Sequence, residues 1–407
     1  MEYSPERIDE ADREIHAFLP EPGRAARLAA EARSPAPGGP LRGVLFGVKD
    51  IIHVDGLPTG AGSAVPPDVL AGAEAALVSR LRAAGALVAG KTVTAEFAVT
   101  APGPTRNPHN LAHTPGGSSS GSAAAVAAGM VPLAVGTQTV GSVIRPAAYC
   151  GVVGFKPTYG RIPVDGVIAN APSFDTVGVF APDVAGVVRG AAVLCDAWRT
   201  VPSEGRRSPV LGVPAGPYLE RAGAEALEAF NAQAEQLGSA GFEVREVPVM
   251  ADFDATVRQL FTMNRYEVAR THADWFPRHG HLYREQTVAA IRQGHAVDPA
   301  DYARASRDRE DFRDRLLTAM YDHSVDLWLT PAATGPAPLG LGTTGDSVMC
   351  LPWSNAGFPS VTLPAGRAAN GLPLGLQYVA RPGADEELLA WAAALQALQP
   401  TSSRSRT

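Results

Sequence analysis

The run from Ser118 to Gly129 is built almost wholly of serine, glycine and alanine. A helix of such residues has little side-chain volume to bury and suits close backbone approach, as in the middle of a packed core beneath a reactive loop. The flanking segments alternate between two periods. Residues 5–33 read as an amphipathic helical stretch ending in a breaker-rich linker, Ser34 to Pro40. Leu41 to Val54 reads as a strand, Ala73 to Ala84 as a helix, Ala86 to Ala89 and Val131 to Val135 as strands. Gly136 to Pro146 reads as a loop. The stretches 223–240 and 251–320 are mostly helical, strand-like runs return at Leu327–Thr330, Ser360–Leu363 and Leu374–Val379, and a last helix spans Asp385–Leu398. Such alternation argues for an α/β architecture. The polar tail, Thr401 to Thr407, is expected to be disordered.

Bulk properties exclude several classes. The 407 residues are 45% hydrophobic and 19% charged, enough for a large core, and the formal charge of −6 favours no polyanion. No basic stripe appears, and Arg206-Arg207 is an isolated pair, so no nucleic-acid partner is expected. Cys150, Cys195 and Cys350 lack CxxC spacing and read as free thiols in a reducing compartment. The charged N-terminus has no apolar leader core and no apolar run reaches membrane-spanning length, so a cytoplasmic protein without a membrane partner is expected.

Two motif matches carry little. Gly85 to Thr92 fits the phosphate-loop formula, but a helix-like stretch precedes it and Ala86 to Ala89 is strand-like, so its amides would point into a sheet. His109 and His113 have i,i+4 spacing but are flanked by Pro108 and Pro115, and His279-Gly-His281 has only Glu285 close by. No metal site is expected. Phe261, Tyr266, Trp275, Phe276 and Tyr283 either line a substrate pocket or pack the core.

The chemistry concentrates between 114 and 146. Serines cluster behind Gly116-Gly117, and a lone Ser142 follows Gly141 in a loop closed by Pro146. A serine hydroxyl is a weak nucleophile until a base takes its proton. A lysine can do so if neutral, which requires a fall of roughly three units from ~10.4, or about 4 kcal/mol. Lys49 suits that role, set between Phe46-Gly-Val48 and Ile51-Ile52 in an apolar strand.

Gly47-Val-Lys-Asp50, Gly90-Lys-Thr92 with Glu96-Phe97, Thr114-Pro-Gly-Gly-Ser-Ser119, and Gly141-Ser142 with Pro146 resemble the motifs of the amidase signature family. So do Gly151 to Thr158 and Gly357 to Gly366, and the motifs keep their order over nearly the whole chain. The resemblance implies a single large α/β/α domain over residues 1–400, built on a mixed twisted sheet, with specificity carried by the variable region 200–350. It also implies a Ser–Ser–Lys triad: Ser142 as nucleophile, Ser118 as proton bridge held by a cis peptide, and Lys49 as base. Ser119 competes with Ser118 for the bridging place, and Ser120 and Ser122 read as cap or packing residues. Backbone N–H groups of Thr139, Val140, Gly141 and Ser142 would form the oxyanion hole. Hydrolysis of a small or medium carboxamide follows, with no cofactor, a small-molecule amide as partner, and a homodimer left open. Esters fall within the same tetrahedral chemistry. The alternatives are the glutaminase subunit of a tRNA-dependent amidotransferase and a non-catalytic binding protein on the same scaffold.

Three positions depart from the commonest family form. Gln138 stands for an Asp, Val140 for a Gly, and the Arg has moved one place to Arg145. An Asp–Arg charge pair supporting the loop is therefore expected to be absent or rearranged, and Val140 removes a position tolerant of positive φ.

Overall fold

The computed structural model describes residues 4–33, 38–201 and 207–398. Ten strands alternate with helices along the chain. In order they are β1 (Leu45–Lys49), β2 (Leu87–Thr92), β3 (Leu133–Gln138), β4 (Val153–Lys156), β5 (Thr176–Ala181), β6 (Leu211–Ala215), β7 (Val244–Pro248), β8 (Leu327–Pro331), β9 (Ser360–Arg367) and β10 (Pro373–Ala380). The helices are α1 (Pro5–Ile15), α2 (Arg24–Arg33), α3 (Ala76–Ala83), α4 (Ser120–Ala127), α5 (Ile144–Cys150), α6 (Val184–Leu194), α7 (Ala224–Ser239), α8 (Phe253–Thr271), α9 (Phe276–His279), α10 (Glu285–His295), α11 (Pro299–Asp322), α12 (Leu351–Asn355) and α13 (Asp385–Leu398).

All strands join one mixed sheet in the order β2-β1-β3-β5-β4-β9-β10-β8-β6-β7. The two ends are parallel (β2, β1 and β3; β8, β6 and β7), and the middle is antiparallel. Central strands are buried on both faces, so they read as continuous apolar runs rather than alternating ones. This is the α/β class expected from the alternation of elements.

Strand alternation sorts β1 between two cores. Phe46 and Val48 pack with Leu77, Val78 and Leu81 of α3 on one face. Leu45 packs with Ala123, Ala124 and Ala125 of α4 on the other. Lys49 continues the Leu45 register and so meets the small-residue helix. That helix is small because the chain crowds it: a Cβ at Gly121 would lie 2.1 Å from the Ala17 carbonyl oxygen and 2.5 Å from the Val93 nitrogen.

Some expectations shift. Residues 5–33 form two helices, because α1 ends at His16 in a left-handed conformation (φ 56°) and Pro20 and Pro22 follow. Asp12 fastens this break by accepting hydrogen bonds from the Ala17 and Phe18 amides at 2.5 and 3.0 Å. The loop expected over Gly136–Pro146 is shorter, since β3 runs to Gln138 and α5 opens at Ile144. The expected tail, Thr401–Thr407, and linker residues 34–37 lie outside the described residues, as does Arg206. Arg207 pairs with Asp326 at 2.6 Å.

Candidate active site

Parallel strands β1 and β3 end side by side, and ligand sites in α/β sheets gather at such carboxyl ends. Lys49, the last residue of β1, is fully buried. Its Nζ lies 2.7 Å from Ser118 Oγ and donates to Thr137 Oγ1 at 2.8 Å and the Thr137 carbonyl at 3.3 Å. The Gly117–Ser118 peptide is cis. Gly117 has no room for a side chain, because a Cβ would sit 2.7 Å from Thr344 Cγ2. Ser119 is spent elsewhere: its hydroxyl donates to the Thr137 carbonyl at 3.2 Å and accepts from the Thr137 amide. Ser122 Oγ likewise donates to the Val135 carbonyl at 3.0 Å. Ser118, not Ser119, is therefore the serine that meets the lysine.

Burial drives the Lys49 ammonium down to about 7, against the opposing pull of the Asp175 charge. Near neutral pH a large fraction is then the free amine, which has a lone pair to offer the Ser118 hydroxyl while its N–H groups serve Thr137.

Ser142 stands in the short loop 139–143, half a turn before α5, and lines a cleft of about 130 Å³. Its hydroxyl makes no hydrogen bond with Ser118 or any other described residue, so the hydrogen-bonded part of the expected relay is its Lys49–Ser118 half. Catalytic hydrogen bonds often tighten only around substrate. The amides of Thr139, Val140, Gly141 and Ser142 donate to no described residue either, which leaves four N–H groups at the cleft's edge. Gly141 is required by close approach, since a Cβ there would lie 2.9 Å from Ser347 Cβ. Val140 has no positive φ, so the branched side chain is accommodated without backbone strain.

The two other departures turn out to be rearranged rather than lost. Gln138 Oε1 accepts from the Val143 and Ile144 amides at 2.8 and 3.0 Å, and its Nε2 donates to Ser354 Oγ at 2.9 Å. A neutral amide thus caps the loop where a carboxylate would. Arg145 donates to the Gly117 carbonyl at 2.6 Å and to Thr344 Oγ1 at 3.2 Å, bracing the cis peptide instead of pairing with residue 138.

A profile of the amidase family matches residues 1–389. The chain belongs to the amidase family. This amidase is 32% identical to a glutamyl-tRNA(Gln) amidotransferase subunit from Acidobacterium capsulatum, over 96% of this chain and 94% of that protein. It is 36% identical to the corresponding subunit from Thermus thermophilus, over 96% and 91%. A crystal structure of an amidase superposes with a TM-score of 0.87 at 34% identity, covering 98% of this chain and 96% of that one. The peptide amidase of Stenotrophomonas maltophilia follows at 0.78 and 29%, covering 96% and 91%. The reaction class of this amidase is hydrolysis of amide C–N bonds.

Asp175 of the candidate site escaped sequence reasoning. Asp175, buried just before β5, accepts from Thr139 Oγ1 at 2.6 Å and from the Asn170 and Ala171 amides at 2.7 and 3.0 Å. Burial raises it to about 6, opposed first by the Thr139 hydrogen bond and, least, by the Lys49 charge. It ties the loop 139–143 to the lysine electrostatically. An isolated Phe-Asp-Thr carries no motif, and β5 itself was not legible.

Other candidates fall outside the site. Lys91, at the end of the phosphate-loop match, lies in strand β2 and pairs with Asp50 at 3.0 Å. His109 and His113 bond to the Cys150 and Ala337 carbonyls at 2.9 and 2.8 Å. Of the five aromatics only Phe261 lines the cleft. Trp275 and Tyr283 stack on Phe97 in the main core, Phe276 packs edge-on against Tyr283, and Tyr266 stacks on Tyr302.

Proposed function

We propose that this amidase hydrolyses a small carboxamide to carboxylic acid and ammonia or amine through an acyl-enzyme on Ser142. Ser118 is the proton bridge and Lys49 the base. The observation that carries this reading is the 2.7 Å contact between a fully buried Lys49 Nζ and Ser118 Oγ. Neutral Lys49 draws the Ser118 proton while Ser118 takes that of Ser142, whose Oγ attacks the amide carbon. The carbonyl oxygen gains charge against the amides of residues 139–142, donors already fixed before the reaction begins. As the C–N bond breaks, the proton returns through Ser118 to the leaving nitrogen, and water then cleaves the ester by the same relay. Specificity is assigned to the 200–350 region, which contributes Phe261, Asn264 and Arg265 to the cleft.

Amidotransferase components stand among the relatives and favour a second reading, a glutaminase that acts within a larger assembly. Ammonia release from a panel of aliphatic, aryl and ureido amides separates the two. The isolated amidase is expected to turn over a simple amide, with Ser142→Ala reducing kcat by roughly 10⁴- to 10⁶-fold. Activity only with glutamine and added partner proteins would transfer the reading to the assembly. No helix among the described residues is long and apolar enough to cross a membrane. We assign the chain to the cytoplasm and leave a homodimer open.

A further inference from the structure

Two arginines face the Ser142 cleft, and no carboxylate lies within ion-pair distance of either among the described residues. Arg145 is buried; its Nη2 donates to the Gly117 carbonyl and to Thr344 Oγ1, and its Nε has no hydrogen-bond partner among the described residues. Arg265, on α8, is the less buried of the two and so the more accessible to a ligand in the cleft. Its Nη1 donates to Asn264 Oδ1 at 2.7 Å and its Nε to Gln293 Oε1 at 3.1 Å, while its guanidinium carbon lies 5.2 Å from the Phe261 ring centroid. Its Nη2 donates to no described residue. Asn264 is itself anchored, donating to Asn170 Oδ1 at 2.9 Å. The guanidinium is thus held in one orientation by neutral groups alone.

Nearby acids do not supply a counter-charge. Asp175 accepts from Thr139, Asn170 and Ala171. Asp346, exposed, accepts from the Val348 amide. A guanidinium cannot shed its proton at working pH, and holding one part-buried without a partner is costly. Its planar fork matches a carboxylate in geometry as well as charge. The cleft, at about 130 Å³, is well below the ~300–1,000 Å³ of drug-sized ligand sites.

We infer that Arg265 is a specificity-determining residue, and that the amidase takes a small amide that also carries a carboxylate. The inference rests on the Ser142 reading and names the substrate class of that same site. The bond broken is the amide C–N bond, with water supplying the new C–O bond; the carboxylate is bound and not transformed.

The test compares kcat/KM for butanedioic acid monoamide and N-acetylglycine with that for butanamide, in wild type, Arg265→Gln and Arg265→Lys. Calorimetric binding of butanedioate to the same proteins is measured in parallel. Wild type is expected to prefer at least one anionic amide by roughly 10- to 100-fold, the range of a charge-assisted pair. Arg265→Gln should bring that ratio near one and weaken butanedioate binding at least about 10-fold, while lysine restores part of both. Wild-type turnover of butanamide as fast as of either anionic amide would overturn the inference and leave the hydrolase intact. If no amide is turned over, Arg265-dependent binding of butanedioate would uphold the anion site while the hydrolase reading fails. Absence of both would overturn the two together.

Discussion

Lys49 and Lys156 invite comparison. Both end a sheet strand, both are buried, and burial pulls both ammonium groups down to about 7. In each case an aspartate, Asp175 or Asp385, pulls the other way. Their partners differ. Lys156 Nζ donates to the Phe358 and Pro157 carbonyls at 2.5 and 3.0 Å, groups that can only accept. Lys49 meets a hydroxyl, Ser118 Oγ, which can give up a proton as well as take one. A depressed lysine is thus a base only where something acidic enough to be deprotonated lies beside it. Perturbation of pKa marks both sites and does not tell them apart.

Replacing each lysine by methionine should separate the two most widely. Lys49→Met removes the proposed base, and kcat is expected to fall by roughly 10⁴- to 10⁶-fold, the scale of losing a member of a catalytic triad. Lys156→Met leaves the Phe358 and Pro157 carbonyls without their donor, so stability should fall by about 1–3 kcal/mol with kcat within about 10-fold of wild type. The depressed pKa adds a pH dependence of stability that the two lysines share. A base whose folded pKa lies below its unfolded value destabilises the fold fully below about 7, and the penalty lifts as pH rises toward 10.5. Either methionine variant should therefore fare better relative to wild type in Tm at pH 6 than at pH 9. Equal losses of activity in both variants, read with urea midpoints, would erase the distinction.

The pH profile sharpens it. Because the proposed role requires Lys49 to be neutral, kcat/KM should rise through an apparent pKa of about 7. Asp175 holds that pKa up, so Asp175→Asn should shift the acid limb to lower pH. It should also lower kcat, by roughly 10- to 100-fold, because the strong acceptor for Thr139 is lost. Lys156→Met should leave the limb in place. An acid limb unmoved by Asp175→Asn would detach Asp175 from the base.

How much of this could be read beforehand varied with the locality of the signal. The small-residue helix, the apolar strand bearing Lys49 and the lone Ser142 are local patterns; the first forms α4 close to its expected limits, while the strand expected over Leu41 to Val54 is confined to β1, Leu45–Lys49. The resemblance put Ser118 ahead of Ser119, and the structure separates the two adjacent serines by the Lys49 contact of Ser118 and the Thr137 contacts of Ser119. Asp175 and Arg265 were not legible at all. One stands 36 residues from Thr139, which it holds, and the other reaches the cleft from a helix whose spacing reads as ordinary amphipathicity. The aromatic cluster was ambiguous for a related reason: side chains that fill a core and side chains that line a pocket have the same composition.

The smallest effect expected lies in the loop itself. Gln138 holds the Val143 and Ile144 amides through Oε1 and Ser354 Oγ through Nε2, and Ser354 Oγ in turn donates to the Val140 carbonyl at 2.7 Å. Gln138→Ala would leave two buried amides without their acceptor beside the proposed nucleophile, and kcat should drop about 10-fold. Gln138→Asp restores an acceptor for those amides and, being shorter and without N–H groups, gives up only the bond to Ser354. Its kcat should stay within about 3-fold of wild type, with a urea midpoint above that of the alanine variant. If aspartate proves as damaging as alanine, Ser354 and the Val140 carbonyl hold the loop, and Gln138 acts through its amide nitrogen rather than its oxygen. Steady-state rates on one amide substrate, taken with the two midpoints, decide between these two supports.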